Sequence, residues 1–149
     1  MMGYTFLTYK WFFTEELHRK NIFLTMATHQ PIPYVINFYL IHTALASGQV
    51  YNEFTIKHMA ILLLFSLPIT AWESSRKIRA IGNESKYETF SLIFGTRRAT
   101  WIPFLCLLAA SGIGIYLGIE LNFYLSYFII VFLLTIYVIY YYTRFLIHP

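Results

Sequence analysis

Aspartate is missing altogether from this chain, so every side-chain carboxylate is one of seven glutamates. Charge of either sign is scarce: 12% of the 149 residues are Asp, Glu, Lys or Arg, about half the share in a typical soluble domain. A water-soluble surface cannot be built from so little charge. The single cysteine, Cys106, lies inside an apolar run; it excludes an internal disulfide and is expected to pack as a small hydrophobe. Glycine-rich phosphate loops, a Gly-x-Ser-x-Gly elbow, paired cysteine ligands and His-Glu-x-x-His are all missing, which removes the motifs of soluble enzymes and any catalytic triad. The opening Met1-Met2-Gly3-Tyr4 lacks a basic region followed by a short apolar run and a small-residue cleavage site, so no signal peptide is read there.

What the chain has is apolar length. Hydrophobic residues make up 58% and aromatics 20% of it, and crossing roughly 30 Å of hydrocarbon takes about 20 largely apolar residues. Four stretches reach that length: 21–47, interrupted by Pro31 and Pro33, then 54–79, 99–119 and 121–143. The expected fold is therefore an all-α polytopic membrane bundle forming a single membrane domain of about four transmembrane helices. Residues 4–20 place Phe6, Tyr9, Phe13 and Leu17 at helical steps, with Lys10, Glu15 and Glu16 elsewhere, which predicts an N-terminal interfacial helix. The break at Glu120 and Asn122 is so short that the last two spans must form a hairpin. Gly112, Gly114 and Gly118 read as small residues for close helix contact.

Net charge is +4, and its distribution sets the expected orientation. His18-Arg19-Lys20, the group Arg76, Lys77, Arg79, Lys86, Arg97 and Arg98, and Arg144 fall on one side of a four-span chain. The positive-inside tendency makes that side cytoplasmic. Both termini and the loop 80–98 are then expected in the cytoplasm. Cations set between apolar runs form no nucleic-acid stripe and point instead to anionic lipid headgroups, so membrane lipids are expected partners and nucleic acid is not.

Polar residues inside or beside the spans carry the candidate chemistry. Glu73 sits at pairing distance in sequence from Arg76 and Lys77, and several cations at a membrane mouth suit either headgroup contact or a bound diphosphate. Glu84 and Glu88, one helical turn apart, are either a solvated face or oxygen ligands for Mg²⁺. His29, Gln30 and Asn37 lie in the first span, where such groups face a bundle interior or a cavity; interhelical hydrogen bonding is the alternative for each.

Two groups of residues carry a resemblance. Thr8-Tyr9-Lys10-Trp11-Phe12-Phe13, His18-Arg19-Lys20 and Thr28-His29-Gln30-Pro31-Ile32 resemble the cytoplasmic linker and fifth span of the UbiA superfamily of intramembrane prenyltransferases. Trp72-Glu73-Ser74-Ser75-Arg76-Lys77-Ile78-Arg79-Ala80, then Tyr87-Glu88-Thr89-Phe90-Ser91-Leu92-Ile93-Phe94-Gly95, is similar to that family's second cytoplasmic loop and the start of its seventh span. The resemblance implies the C-terminal half of a nine-span bundle that moves a polyprenyl group from its diphosphate to a lipid-soluble acceptor. It assigns diphosphate contacts to Arg76, Lys77 and Lys86, bound Mg²⁺ to Glu73, Glu84 and Glu88, and cavity lining to His29, Gln30 and Asn37. It also implies a partner polypeptide carrying the other acidic motif, the chain alone being inactive. The alternative is a non-catalytic membrane subunit of a larger respiratory or photosynthetic complex, packing against it or binding lipid, quinone or pigment. If the charge asymmetry orients the chain, a cysteine placed at Ser85 reacts with an impermeant thiol reagent only from the cytoplasmic side, and one at Gln49 only from the other; reversal of this pattern would overturn the orientation.

Overall fold

The computed structural model describes residues 3, 6, 16–17, 21–48, 54–79 and 89–147, the side chains of Ile22 and His29 aside. Its secondary structure among these residues is all helical, with six helices beyond residue 20: α1 Ile22–His29, α2 Pro31–Ser47, α3 Ile56–Arg76, α4 Phe90–Phe94, α5 Thr96–Glu120 and α6 Leu125–Ile147. Three of them, α3, α5 and α6, are long and apolar enough to cross a membrane. The stretch expected as the first span is instead divided. Asn21 caps α1 by accepting from the Leu24 amide at 3.0 Å, and α2 begins at Pro31, where proline's missing N–H is least costly. The 17 residues of α2 cover about 25 Å, short of the hydrocarbon thickness unless α1 continues the crossing. Of the expected interfacial helix, Phe6, Glu16 and Leu17 are described, each helical; the rest of 4–20 lies outside the described residues.

Cross-contacts fix an antiparallel order. Tyr34 and Asn37 of α2 meet Thr70 and Ser66 of α3 at 3.1 and 3.0 Å. Lys57 at the start of α3 pairs with Glu120 at the end of α5 at 2.7 Å. Tyr127 of α6 donates to the Gly114 carbonyl of α5 at 3.0 Å, and Phe104 stacks on Tyr142 with ring centroids 5.3 Å apart. The hairpin between α5 and α6 closes by a Schellman turn. Asn122, at φ 53, sits in the left-handed conformation that Asn tolerates; its amide bonds the Ile119 carbonyl, and the Phe123 amide bonds that of Gly118, which satisfies two helix-end carbonyls. Gly95, at φ 77, makes the other sharp break, between α4 and α5.

The core is built from small residues. Ser66 and Ser74 of α3 and Pro103 of α5 are fully enclosed, with Ala60, Ala71, Ala99 and Ala110 buried beside them. Lipid tails solvate apolar side chains as well as a protein does, so helices associate by close approach rather than by hydrophobic burial, and small residues permit it. α6, by contrast, buries none of its residues. Of the three glycines expected at a helix contact, Gly114 and Gly118 are there. A Cβ on Gly118 would lie 2.6 Å from Tyr127 Cε1 and 3.0 Å from Phe128 Cε1. Gly112 differs: a Cβ there meets nothing within 4 Å, because it sits on the opposite face of α5. Replacing Gly118 by Leu is therefore expected to lower hairpin stability by about 1–3 kcal/mol, read as thermal unfolding in detergent, while Gly112→Ala is neutral or slightly stabilising. Equal tolerance at the two sites would refute this packing.

Candidate functional site: the basic end of the bundle

The antiparallel order gathers the charged helix ends. Arg76 closes α3, Arg97 and Arg98 open α5, and Arg144 lies in the last turn of α6, so cations distant in sequence share one end of the molecule. The Lys57–Glu120 pair occupies the opposite end.

Residues 77–79 and 89–96 are bonded to one another at this basic end. Phe90 donates its amide to the Lys77 carbonyl at 3.0 Å. The Arg79 amide donates to Ser91 Oγ at 3.0 Å, and Thr96 Oγ1 to the Arg79 carbonyl at 3.3 Å. Thr89, whose hydroxyl caps α4 by accepting from Leu92, also bonds Ser91 at 3.0 Å. These bonds bring Lys77 and Arg79 against Phe90, Ser91 and Thr96. Phe90 and Ala99 form the apolar floor beneath this junction, with Met26, Ile78 and Ile102 packed against them. Thr89, Ser91 and Thr96 were not picked out as functional from the sequence. Thr89 before Phe90-Ser91-Leu92 has the form of a helix cap, which was the available signal.

Within this frame the expected anion-binding residues behave differently from one another. Arg76 is already engaged: its Nη1 lies 3.3 Å from Glu73 Oε1, and its guanidinium lies 4.8 Å from the Trp72 ring centroid. That three-residue spacing was expected for Glu73; at the surface such a pair contributes little. Lys77 caps the helix end and is half-buried. Burial pushes its ammonium below the usual lysine range, Glu73 opposes that shift, and Arg76 adds to it. A desolvated ammonium next to a second cation is short of negative charge, and an anion is what relieves it. Lys86, Glu84 and Glu88 lie outside the described residues.

For Mg²⁺ the described donor set stops at one carboxylate. Glu73 faces Arg76, and no three His, Cys or Glu side chains come together among the described residues. These residues do not by themselves form a metal site, and no chemical step is assigned to a metal.

The residues expected to line a cavity divide as well. His29 ends α1, and its side chain is not among those described. Gln30 follows it, with Oε1 buried and lacking a hydrogen-bond partner among the described residues. Asn37 Nδ2 bridges to Ser66 on α3, and the side chain borders a cleft of about 550 Å³ between α2 and α3. That cleft lies toward the end away from the basic residues. Beside the basic end a different cleft, about 380 Å³, is lined by Ser75, Ile78, Thr100, Pro103, Tyr141, Tyr142 and Phe145. No family model matches the chain, nor does any curated protein or solved structure.

The Asn37–Ser66 bond joins α2 to the rest of the bundle. A double-mutant cycle with Asn37→Leu and Ser66→Ala is expected to give a coupling of about 0.6 kcal/mol, within the range for hydrogen bonds between membrane helices. Strict additivity of the two changes would show that the bond does not hold α2.

Proposed function

We propose that this integral membrane protein supplies the C-terminal half of a UbiA-like prenyltransferase bundle, taking a polyprenyl diphosphate at its basic end and acting with a partner chain. One observation carries the reading: half-buried Lys77, flanked by Arg76 and Arg79, stands beside an apolar cleft whose wall includes Ser75 and Ile78. A cationic mouth next to an apolar slot matches the two halves of a lipid diphosphate. Lys77, Arg76 and Lys86 hold the diphosphate by charge-assisted hydrogen bonds, while Tyr142, Pro103 and Phe145 accept the first part of the chain. Transfer breaks the bond between the allylic carbon and the diphosphate oxygen and forms a bond to the acceptor, whose displaced proton passes to the diphosphate as it leaves toward the cations. Glu73, with Glu84 and Glu88 of the sequence that follows it, would supply the carboxylates for Mg²⁺. A cleft of this size is at the small end for a lipid ligand, and it supports the need for a second chain to complete the enclosure.

A second reading is favoured by α6 and α2, which bury no residues on either helix. Two open apolar flanks suit a non-catalytic subunit seated in a larger membrane complex, its basic end resting against anionic headgroups.

Binding of a labelled prenyl diphosphate, with and without Mg²⁺, separates the two. The proposal expects saturable binding that weakens roughly tenfold or more in an Arg76→Ala, Lys77→Ala variant, and turnover only when an N-terminal half is supplied. It also fixes a pH dependence. Because burial lowers the Lys77 pKa, the ammonium loses its proton earlier in an alkaline titration than an exposed lysine does. Binding therefore falls as pH rises through that lowered value, and Lys77→Arg keeps it constant there. Binding that ignores metal, variant and pH alike would reduce to hydrophobic partitioning and decide for the subunit.

A further inference from the structure

We propose that the cleft between α2 and α3 at the end remote from the basic residues is a binding site for a lipid-soluble carbonyl compound, held by the imidazole N–H of His58. The inference does not depend on the diphosphate reading. His58 is the third residue of α3 and closes a capping box with Thr55. Its Nδ1 lies 3.0 Å from the Thr55 backbone N and 2.8 Å from Thr55 Oγ1. A backbone N–H can only donate, so Nδ1 is the unprotonated nitrogen, and the neutral ring carries its hydrogen on Nε2. That N–H has no partner among the described residues.

The ring is also fixed in place. Phe54 lies 5.7 Å from it, Phe38 lies 5.7 Å from Phe54, and His42 stacks on Phe38 at 6.1 Å. His58 lines the 550 Å³ cleft with Leu40, Ile41, Ala44 and Phe65, a volume within the range of small-molecule sites. Asn37, toward the other end, gives one of its two amide hydrogens to Ser66, and His58 supplies the donor at this end of the cleft. Among the described residues the lining holds no charged group, and the nearby Lys57 is paired with Glu120. An ionic ligand would find no counter-charge. An apolar body with one acceptor oxygen satisfies both the walls and the N–H. A quinone ring and an acyl ester both offer that oxygen.

The test uses the full chain in alkyl maltoside, a detergent without carbonyls, titrated separately with decylbenzoquinone, methyl decanoate and decane. Saturable binding is expected for at least one carbonyl probe, the tighter one identifying the source, and none for decane. His58→Phe should weaken it roughly tenfold, the loss of about one hydrogen bond. Ala44→Trp, which leaves the cap intact and fills the cleft, should abolish it. ¹⁵N NMR of labelled histidine should find His58 in the Nε2–H form. Decane binding as well as the carbonyl probes, binding that survives Ala44→Trp, or an Nδ1–H tautomer would each overturn the proposal.

Discussion

Close approach between α3 and α5 is the constraint on which the remaining structure depends. Among lipids, apolar side chains gain nothing by leaving one hydrocarbon for another, so what holds two helices together is contact density and the few hydrogen bonds between them. The buried Ser66, Ala71 and Ser74 of one helix and Ala99, Pro103 and Ala110 of the other let these backbones come close. Leu64 of α3 then reaches to within 3.7 Å of a Cβ position on Gly114, and Tyr127 of α6 reaches the same glycine from the other side. One small residue thus serves two helix contacts.

From that pairing follows the separation of the two ends. Antiparallel α3 and α5 put Lys57 against Glu120 at one end and Arg76 near Arg97 and Arg98 at the other, where Lys77 and Arg79 bond Phe90, Ser91 and Thr96. These bonds use backbone groups and hydroxyls, leaving the cationic heads available for an anion. Arg76, held by Glu73 and Trp72, is the less available of the two central cations. Lys77, at the helix end, has its ammonium pushed below the usual lysine range by burial, with Glu73 opposing the shift.

Polar groups inside the membrane region divide between holding and binding. Asn37, Tyr34, Ser66 and Thr70 bond across helices and fix α2 to α3. Serine and threonine hydroxyls also bond carbonyls one turn back, as Thr70 does to Ser66 and Ser74 to Thr70, around the proline that interrupts the backbone ladder of α3. Gln30 Oε1 lacks a partner among the described residues and His58 keeps an N–H beyond its bonds to Thr55; both stand near a helix start where the backbone pattern changes.

Sequence alone determined the helical membrane class, since scarce charge and long apolar runs leave no other way to satisfy the backbone. It also marked the short hairpin at 120–122, the close-packing Gly114 and Gly118, and the Glu73–Arg76 pair, because each rests on local spacing along a helix. Tertiary structure decided what spacing cannot carry. It divided the stretch 21–47 at Gln30–Pro31, turned Gly112 away from the contact its neighbours make, and tied Lys77 and Arg79 to Ser91 and Thr96 across a loop. It also gave Asn37 a partner 29 residues away. Those outcomes depend on which faces of separate helices meet, and the hydropathy of a membrane span, nearly uniform around its circumference, does not encode that choice.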